Sequence, residues 1–257
     1  MKITIITITY NAEKVLRPTL QSVFRQTHND VEHWIIDGAS KDGTLKIAED
    51  YKRHDDGTDN GHEVKILSEP DSGIYYAMNK GLQRATGSYV LFLNAGDTLA
   101  SNDTLDEVCA SVGDGEELPA VIYGDTDIVD ADYNFIRHRR LSPPKRLTWK
   151  SFLHGMLVCH QAFYARTDIA RDIAYDTQYR HSADVDWCIK VLKEGRRRHL
   201  PNRRVHAVVA NFLDGGDTTQ NHRASLHERF KVMRHHYGFL PTVIMHAWFV
   251  VRGVIKK

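Results

Sequence analysis

The sequence predicts an α/β domain built on a mainly parallel sheet with helices on both faces. Three observations predict it. Short apolar or β-branched runs alternate with stretches of helical periodicity through the first hundred residues. Each run ends in a polar, turn-forming cluster, and no internal repeat or long linker interrupts the 257 residues. Strands separated by helix-length crossovers pair in parallel, and such sheets need helices on both sides to cover them.

Ile3 to Thr9 is rich in β-branched residues and reads as the first strand. Glu13 to Gln26 follows with Val15, Leu16, Leu20, Val23 and Phe24 at helical spacing. His33 to Ile36 is a second strand that stops at Asp37-Gly38-Ala39-Ser40, after which Leu45, Ile47 and Ala48 mark a helix over Thr44 to Tyr51. Val64 to Leu67 gives a third strand, Gly73 to Ala85 a third helix, and Tyr89 to Leu93 a fourth strand. Beyond residue 100 the rhythm loosens. Ala120 to Tyr123 and Asn134 to Arg137 read as strands, Val185 to Lys193 as a helix, and Phe239 to Lys257 as a largely apolar C-terminal helix. The chain is therefore read as one domain in three parts: a first half over 1–100, a second half over 101–210 that completes the site, and a closing loop with a helical extension over 211–257.

In open sheets of this kind ligands bind outside the carboxyl ends of the strands. Thr9-Tyr10-Asn11, Asp37, Glu69-Pro70-Asp71 and Asn94-Ala95-Gly96-Asp97 all fall at such ends, so one crevice collects them. The net charge of +1 leaves no global basic field, which argues against nucleic acid as a partner. Three widely spaced cysteines without a CxxC pair suggest neither a disulfide framework nor a zinc site, and fit a reducing cytoplasm. The amino terminus reads as a strand rather than a signal peptide. Neither GxGxxG nor GxxxxGK[ST] occurs, which removes most of the case for nicotinamide and P-loop chemistry.

Four segments carry a resemblance: ITITYNAEKVLRPTLQSVFRQT, IIDGASKDGT, SEPDSGIYYAMNKGLQRATGSYVLFLNAGD and HSADVDWCIKVLKEG. Taken in order, they resemble an inverting family 2 glycosyltransferase of the GT-A fold. The third is especially similar to enzymes of bacterial exopolysaccharide, capsule and O-antigen assembly, including the colanic-acid type. The resemblance implies a GT-A, Rossmann-like mixed sheet. It also implies transfer of a hexose or N-acetylhexosamine from a nucleotide-diphosphate sugar, a UDP-sugar favoured, to a saccharide or polyprenyl-linked acceptor.

By this resemblance the nucleotide sugar lies against Thr9, Tyr10, Asn11, Asp71, Asn79, Asn94, Ala95 and Gly96, and Asp37 accepts the base's ring N–H. An Asx-turn closing the strand is the competing reading of Asp37. Lys80 is equally well a solvated helix charge, and Gly73 and Gly81 answer backbone needs. The family ends its fourth strand in an acidic DxD-type motif that holds Mg²⁺ or Mn²⁺ against the diphosphate. Here Asn94 and Gly96 replace the two acids, and Asp97 is the remaining metal ligand, so a cation would depend on diphosphate oxygens and water for most of its shell.

Aligned with the family's acidic motif, Asp184 is the general base that takes the acceptor hydroxyl's proton. Asp186 is the control, an acid explained by the helix dipole. His160, Gln161 and Asp125 are expected near the acceptor or sugar. The Asp214 to Asn221 stretch reads as a closing loop, with His222 within reach of the diphosphate. Arg196 to Arg198, Arg203, Arg204 and the C-terminal helix with Trp248, Phe249 and Val250 suit peripheral contact with the inner face of the cell membrane; packing on the domain or a dimer contact is the alternative. Two other functions compete, a nucleotidyltransferase and a non-catalytic sugar-nucleotide-binding subunit of a polysaccharide assembly complex.

Overall fold

The computed structural model describes residues 1–113, 117–215 and 222–255. Among these, nine strands form one sheet in the order β3-β2-β1-β4-β8-β6-β9-β5, with β7 paired to β6. The elements of the first half are β1 (Ile3–Thr9), α1 (Leu16–Phe24), β2 (Val31–Asp37), α2 (Thr44–Asp56), β3 (His62–Ser68), α3 (Ile74–Leu82) and β4 (Tyr89–Phe92). The four strands are parallel, as expected, and lie in the order β3-β2-β1-β4. Ile3, Ile5, Ile6, Val90, Leu91 and Phe92 are fully buried, as strands covered on both faces must be.

Helix α1 buries Leu16, Thr19, Leu20 and Val23, one stripe at i, i+3, i+4 and i+7. Helix α3 can lie close on the sheet because Gly81 has no side chain there: a Cβ at that position would stand 2.5 Å from Ile6 Cγ2. Gly73, at φ +136°, adopts a backbone that side chains disfavour at the turn into α3.

The second half mixes directions. After β5 (Thr98–Leu99) and α4 (Thr104–Ala110), β6 (Val121–Val129) pairs antiparallel with β7 (Phe135–His138) and β8 (Phe163–Arg166), and parallel with β9 (Asn202–Leu213). The sequence reading missed β5, α4, β8 and β9, and it ended β6 six residues early. Helix α5 (Thr167–Ala170) leads toward α6 (Ala183–Arg197), and α7 (His222–Tyr237) and α8 (Phe239–Ile255) close the described chain. Among the described residues no helix is long and apolar enough to cross a membrane.

Helix α6 is anchored to the tip of β4 by aromatic packing. Trp187 is fully buried and stacks on Tyr175 at 4.8 Å. Phe92 meets both rings edge-on, and Tyr75 of α3 stacks on Tyr175 from the other side. Such pairs add to the burial of large rings, and the indole N–H is satisfied by the Ile173 carbonyl at 2.8 Å. The first turn of α6 is thereby held beside the carboxyl ends of the parallel strands.

Candidate active site

The sequence clusters at the strand tips do converge. Thr9, Tyr10, Asn11, Gly38, Asp71, Asn94 and Ala95 line a cleft of about 1210 Å³. Two of its non-glycine residues, Asn11 at φ +49° and Ala39 at φ +58°, sit in the left-handed region, a strain concentrated where the backbone must frame a ligand. Thr9 Oγ1 and Asn94 Oδ1 are buried there without a hydrogen-bond partner. Buried polar atoms are nearly always paired, so these two mark the cleft as built for a polar ligand. Tyr10, 63% exposed, offers a ring at its rim.

Asp37 lies beneath this cleft rather than in its wall. Its carboxylate is buried and accepts from the Ser40 amide at 3.0 Å, from the Ser40 hydroxyl, and from Ser68 Oγ at 2.6 Å. The Asx-type turn is thus present, and it fixes the Gly38–Ala39 backbone that lines the cleft. Gly96, at φ +104°, turns the chain after β4, its N–H held by Thr19 Oγ1 and its carbonyl by Tyr133 Oη.

A second cavity, about 400 Å³, lies against His160, Gln161 and Asp184. A row of polar side chains joins the two spaces. Asn94 Nδ2 donates to His160 Nε2 at 3.1 Å, so the imidazole proton is carried on Nδ1, 3.6 Å from Asp184 Oδ2. The other carboxylate oxygen accepts from Tyr75 Oη at 3.4 Å and from the Val185 amide at 2.9 Å. Burial pushes the Asp184 pKa up, but the His160 imidazole beside it, the Arg229 charge nearby and the Val185 amide outweigh it and hold Asp184 below the usual carboxylate range. Asp184 is therefore ionised at neutral pH.

The segment before α6 is fixed from α7. Both carboxylate oxygens of Glu228 accept from consecutive backbone amides, Arg180 at 2.9 Å, His181 at 2.7 Å and Ser182 at 3.1 Å. Glu228 and Arg229 escaped the sequence reading because nothing in a polar helix 46 residues downstream of Ser182 signals that it packs on this turn, and Tyr75 because its partner Asp184 lies 109 residues away. Asp186, the control, faces elsewhere and is bonded to His236 at 2.7 Å and Lys190 at 2.6 Å.

Several expected residues stand apart from both spaces. Asn79 is occupied as a clamp, donating to the Tyr175 carbonyl at 3.0 Å and accepting from its amide at 2.8 Å. Asp125 lies within β6 and pairs with Arg204 at 3.0 Å, and the cavity it borders is a third one. Lys80 is tied to Glu69 and the Pro70 carbonyl. Of the basic cluster expected at a membrane, Arg197, Arg198 and Arg204 are spent on carboxylates of their own domain. Residues 216–221 of the expected closing loop, and the side chain of His222, lie outside the described residues.

The side chains do not fit a resident cation. Asp97 is 6% exposed and lines neither cleft; it accepts from the Leu213 amide at 3.2 Å and from Gln161 Nε2 at 3.4 Å. Desolvation raises its pKa to about 7, against the opposing pull of His160 and the Leu213 amide. Among the described residues no group of three His, Cys, Asp or Glu converges as ligands, and Asn94 Oδ1 is the one buried side-chain oxygen of the NAGD turn without a partner. No step below is routed through a metal.

The raised Asp97 pKa has a direct consequence for stability. A carboxyl whose folded pKa lies above its unfolded value stabilises most below about pH 4 and loses that contribution as pH rises through about 7. The loss is roughly 1.4 kcal/mol per pH unit over that window. In urea unfolding at pH 5, 6, 7 and 8, D97N is expected to gain on the wild type as pH rises; a pH-independent difference would show that Asp97 is ionised throughout.

Comparison with known proteins agrees with this geometry. The model of the Glycosyl transferase family 2 matches residues 4–174. A PGL/p-HBAD biosynthesis glycosyltransferase of Mycobacterium bovis (strain BCG / Pasteur 1173P2) is 35% identical over 213 residues, 82% of this chain and 77% of that protein. S. aureus TarS 1-349, solved with UDP-GlcNAc, superposes with a TM-score of 0.71 at 20% identity over 91% of this chain, which spans only 65% of the TarS chain. The mannosyltransferase PcManGT from Pyrobaculum calidifontis, solved with GDP-Man and Mn²⁺, gives a TM-score of 0.66 at 18% identity, covering 96% of this chain and 68% of that one. The fold is GT-A, and the chain belongs to glycosyl transferase family 2 and is a glycosyltransferase.

Proposed function

We propose that the chain is an inverting glycosyltransferase that moves a hexose or N-acetylhexosamine from a nucleotide-diphosphate sugar, a UDP-sugar favoured, to a saccharide or lipid-linked saccharide acceptor of cell-surface polysaccharide assembly. The observation that carries this reading is the row Asn94–His160–Asp184, which links a cleft with two orphaned polar atoms to a cavity presenting one ionised carboxylate. Inversion needs the leaving group and the base on opposite faces of the anomeric carbon, and two spaces meeting at one row support that reading.

In this reading the nucleoside lies in the first cleft, with its base against Tyr10 and the Gly38–Ala39 backbone that Asp37 positions. Asn94 Oδ1 faces the donor sugar. Asp184 accepts the proton of the attacking hydroxyl, and His160 holds the carboxylate and Asn94 in one geometry. No covalent intermediate is required. The first hundred residues serve the donor, residues 101–210 the acceptor and base, and residues 211–257 the closure of the site. A nucleotidyltransferase would need a basic phosphate-binding loop in the first cleft, where Lys41 is the sole basic residue lining it among the described residues. A non-catalytic binding subunit would have no use for the arrangement around Asp184.

A thermal-shift panel of nucleotide sugars, with and without Mn²⁺, tests the donor and the cation together, since a ligand at 100 times its Kd stabilises by about 2.7 kcal/mol. Asp37→Ala is expected to weaken the stabilising donor roughly tenfold or more by releasing the Ser40 and Ser68 hydroxyls and the turn they hold. Unchanged donor affinity in that variant, or no stabilisation by any nucleotide sugar, would remove the nucleoside from this cleft.

A further inference from the structure

We infer that the cavity beside Asp184 selects an acidic acceptor: the sugar that brings the attacking hydroxyl carries a ring carboxylate, held between the guanidinium groups of Arg139 and Arg229. The inference rests on the glycosyl-transfer reading of Asp184 and names the chemical class of its acceptor, a hexuronate.

Charge is the first support. Arg137, Arg139, Arg140, Arg229 and Arg252 line the cavity, and among the described residues Asp184 is the one carboxylate in the lining. Arg137 and Arg140 are exposed, and Arg252 lies over the Phe249 ring, which leaves Arg139 and Arg229 as the inner pair. Burial disfavours the charge of Arg229, Asp184 supports it, and Arg139 opposes it again, so two like charges stand near one another here. Two guanidinium groups against one carboxylate leave an excess of one positive charge, which one further carboxylate balances. A phosphate ester, at about −1.5 to −2 charges, would reverse the sign of that excess.

Unmet hydrogen bonding is the second support. Elsewhere Arg166, Arg197, Arg198 and Arg204 each meet carboxylates within 3.2 Å. Neither inner arginine is in such a pair among the described residues. Arg139 Nη1 donates to the Leu141 carbonyl at 2.9 Å, and Arg229 Nε is buried with no partner. Buried polar atoms are nearly always paired, and a guanidinium fork takes a carboxylate through two parallel bonds. A neutral sugar would leave Arg229 without that acceptor.

Position is the third. Asp184 and the two arginines line the same space, so a ring whose carboxylate lies between the arginines presents its hydroxyls to the base. A volume near 400 Å³ is at the small end for ligand pockets and suits about one sugar residue with the start of the next. Leu141, Met156 and Phe212 add apolar surface against which the C–H face of the ring can pack.

The test is ligand-observed NMR titration of the full chain, with and without UDP, for the wild type and R139Q. The probes are the methyl glycosides of glucuronic and galacturonic acid, their neutral methyl esters, and glucose 6-phosphate. At least one uronate is expected to bind roughly tenfold or more tightly than its ester, the worth of a charge-assisted hydrogen bond. R139Q is expected to abolish that preference while UDP affinity stays within about twofold.

Equal binding of acid and ester would overturn the proposal, as would an undiminished preference in R139Q. Tighter binding of glucose 6-phosphate than of either uronate would assign the arginines to phosphate, and loss of UDP binding in R139Q would assign them to the donor; both overturn it. The acid–ester comparison in the wild type needs no variant, so it decides even where R139Q fails to fold. A chain that binds a uronate but no nucleotide sugar would defeat the transfer reading and leave the anion site standing. One that binds a nucleotide sugar but neither uronate would overturn the acidic acceptor alone.

Discussion

Asp184→Asn is expected to lower turnover by roughly 10²–10⁴-fold, the usual contribution of a positioned general base, while donor affinity stays within about twofold. The substitution preserves shape and the Tyr75 and Val185 contacts but cannot take a proton. The carboxylate packs among Tyr75, His160 and Arg229, and His160, Arg229 and the Val185 amide hold it ionised at neutral pH. Because its pKa is depressed, the base is lost only as pH falls below the ordinary aspartate range, so the wild-type rate should show no acidic limb from Asp184 between pH 5 and 8. Donor binding is spared because Asp184 lines the second cavity and not the first. Initial rates at saturating donor, with titration of the donor alone, separate the two effects. Loss of donor binding with turnover retained would reverse the proposed roles.

The second large effect is on stability. Glu32→Ala is expected to lower the unfolding free energy by roughly 3 kcal/mol, from the buried Thr4 hydroxyl left without its acceptor and the loss of charge-assisted hydrogen bonds. The Glu32 side chain is fully buried at the middle of the parallel sheet. It accepts from Thr4 Oγ1 at 2.6 Å, the Thr86 amide at 2.8 Å, Lys65 Nζ at 2.9 Å and Thr86 Oγ1 at 3.0 Å. Burial alone would raise its pKa, but these donors reverse the sign and bring it to about 2. Its contribution is therefore complete above about pH 4.5 and lost as pH falls toward 2.

Glu63 pairs with the same lysine but is half exposed, so Glu63→Ala should cost no more than about 1 kcal/mol. Chemical unfolding of both variants at pH 7 checks the contrast. Equal losses would mean that the surface pair, and not the buried network, holds these strands together.

The parallel half was legible in the sequence because its information is local. A strand that must be buried on both faces is written as an apolar run, and its crossover helix as a stripe at 3.6-residue spacing. The run Ile3 to Thr9 and the stripe Leu16, Leu20, Val23 need no knowledge of their neighbours. The strand tips were legible for the same reason, since parallel topology puts every carboxyl end on one edge; Thr9, Asn11, Asp71 and Asn94 meet there as expected.

What tertiary structure alone decided lies in long-range pairing. Strand β9 reads locally as a basic stretch running into a loop, and becomes a strand by pairing with β6 some 80 residues earlier. The same pairing brings Leu213 to Asp97, which turns the expected metal ligand inward to an amide. Asn79 was spent on Tyr175, and Asp125 on Arg204, by contacts across 96 and 79 residues. Asp184 was identifiable by resemblance, but its ionisation depends on His160 and Arg229, and its position on Glu228, all from other elements. Periodicity and turn chemistry record how a segment meets its own neighbours in the chain; which distant donor reaches a given carboxylate is fixed only when the sheet closes.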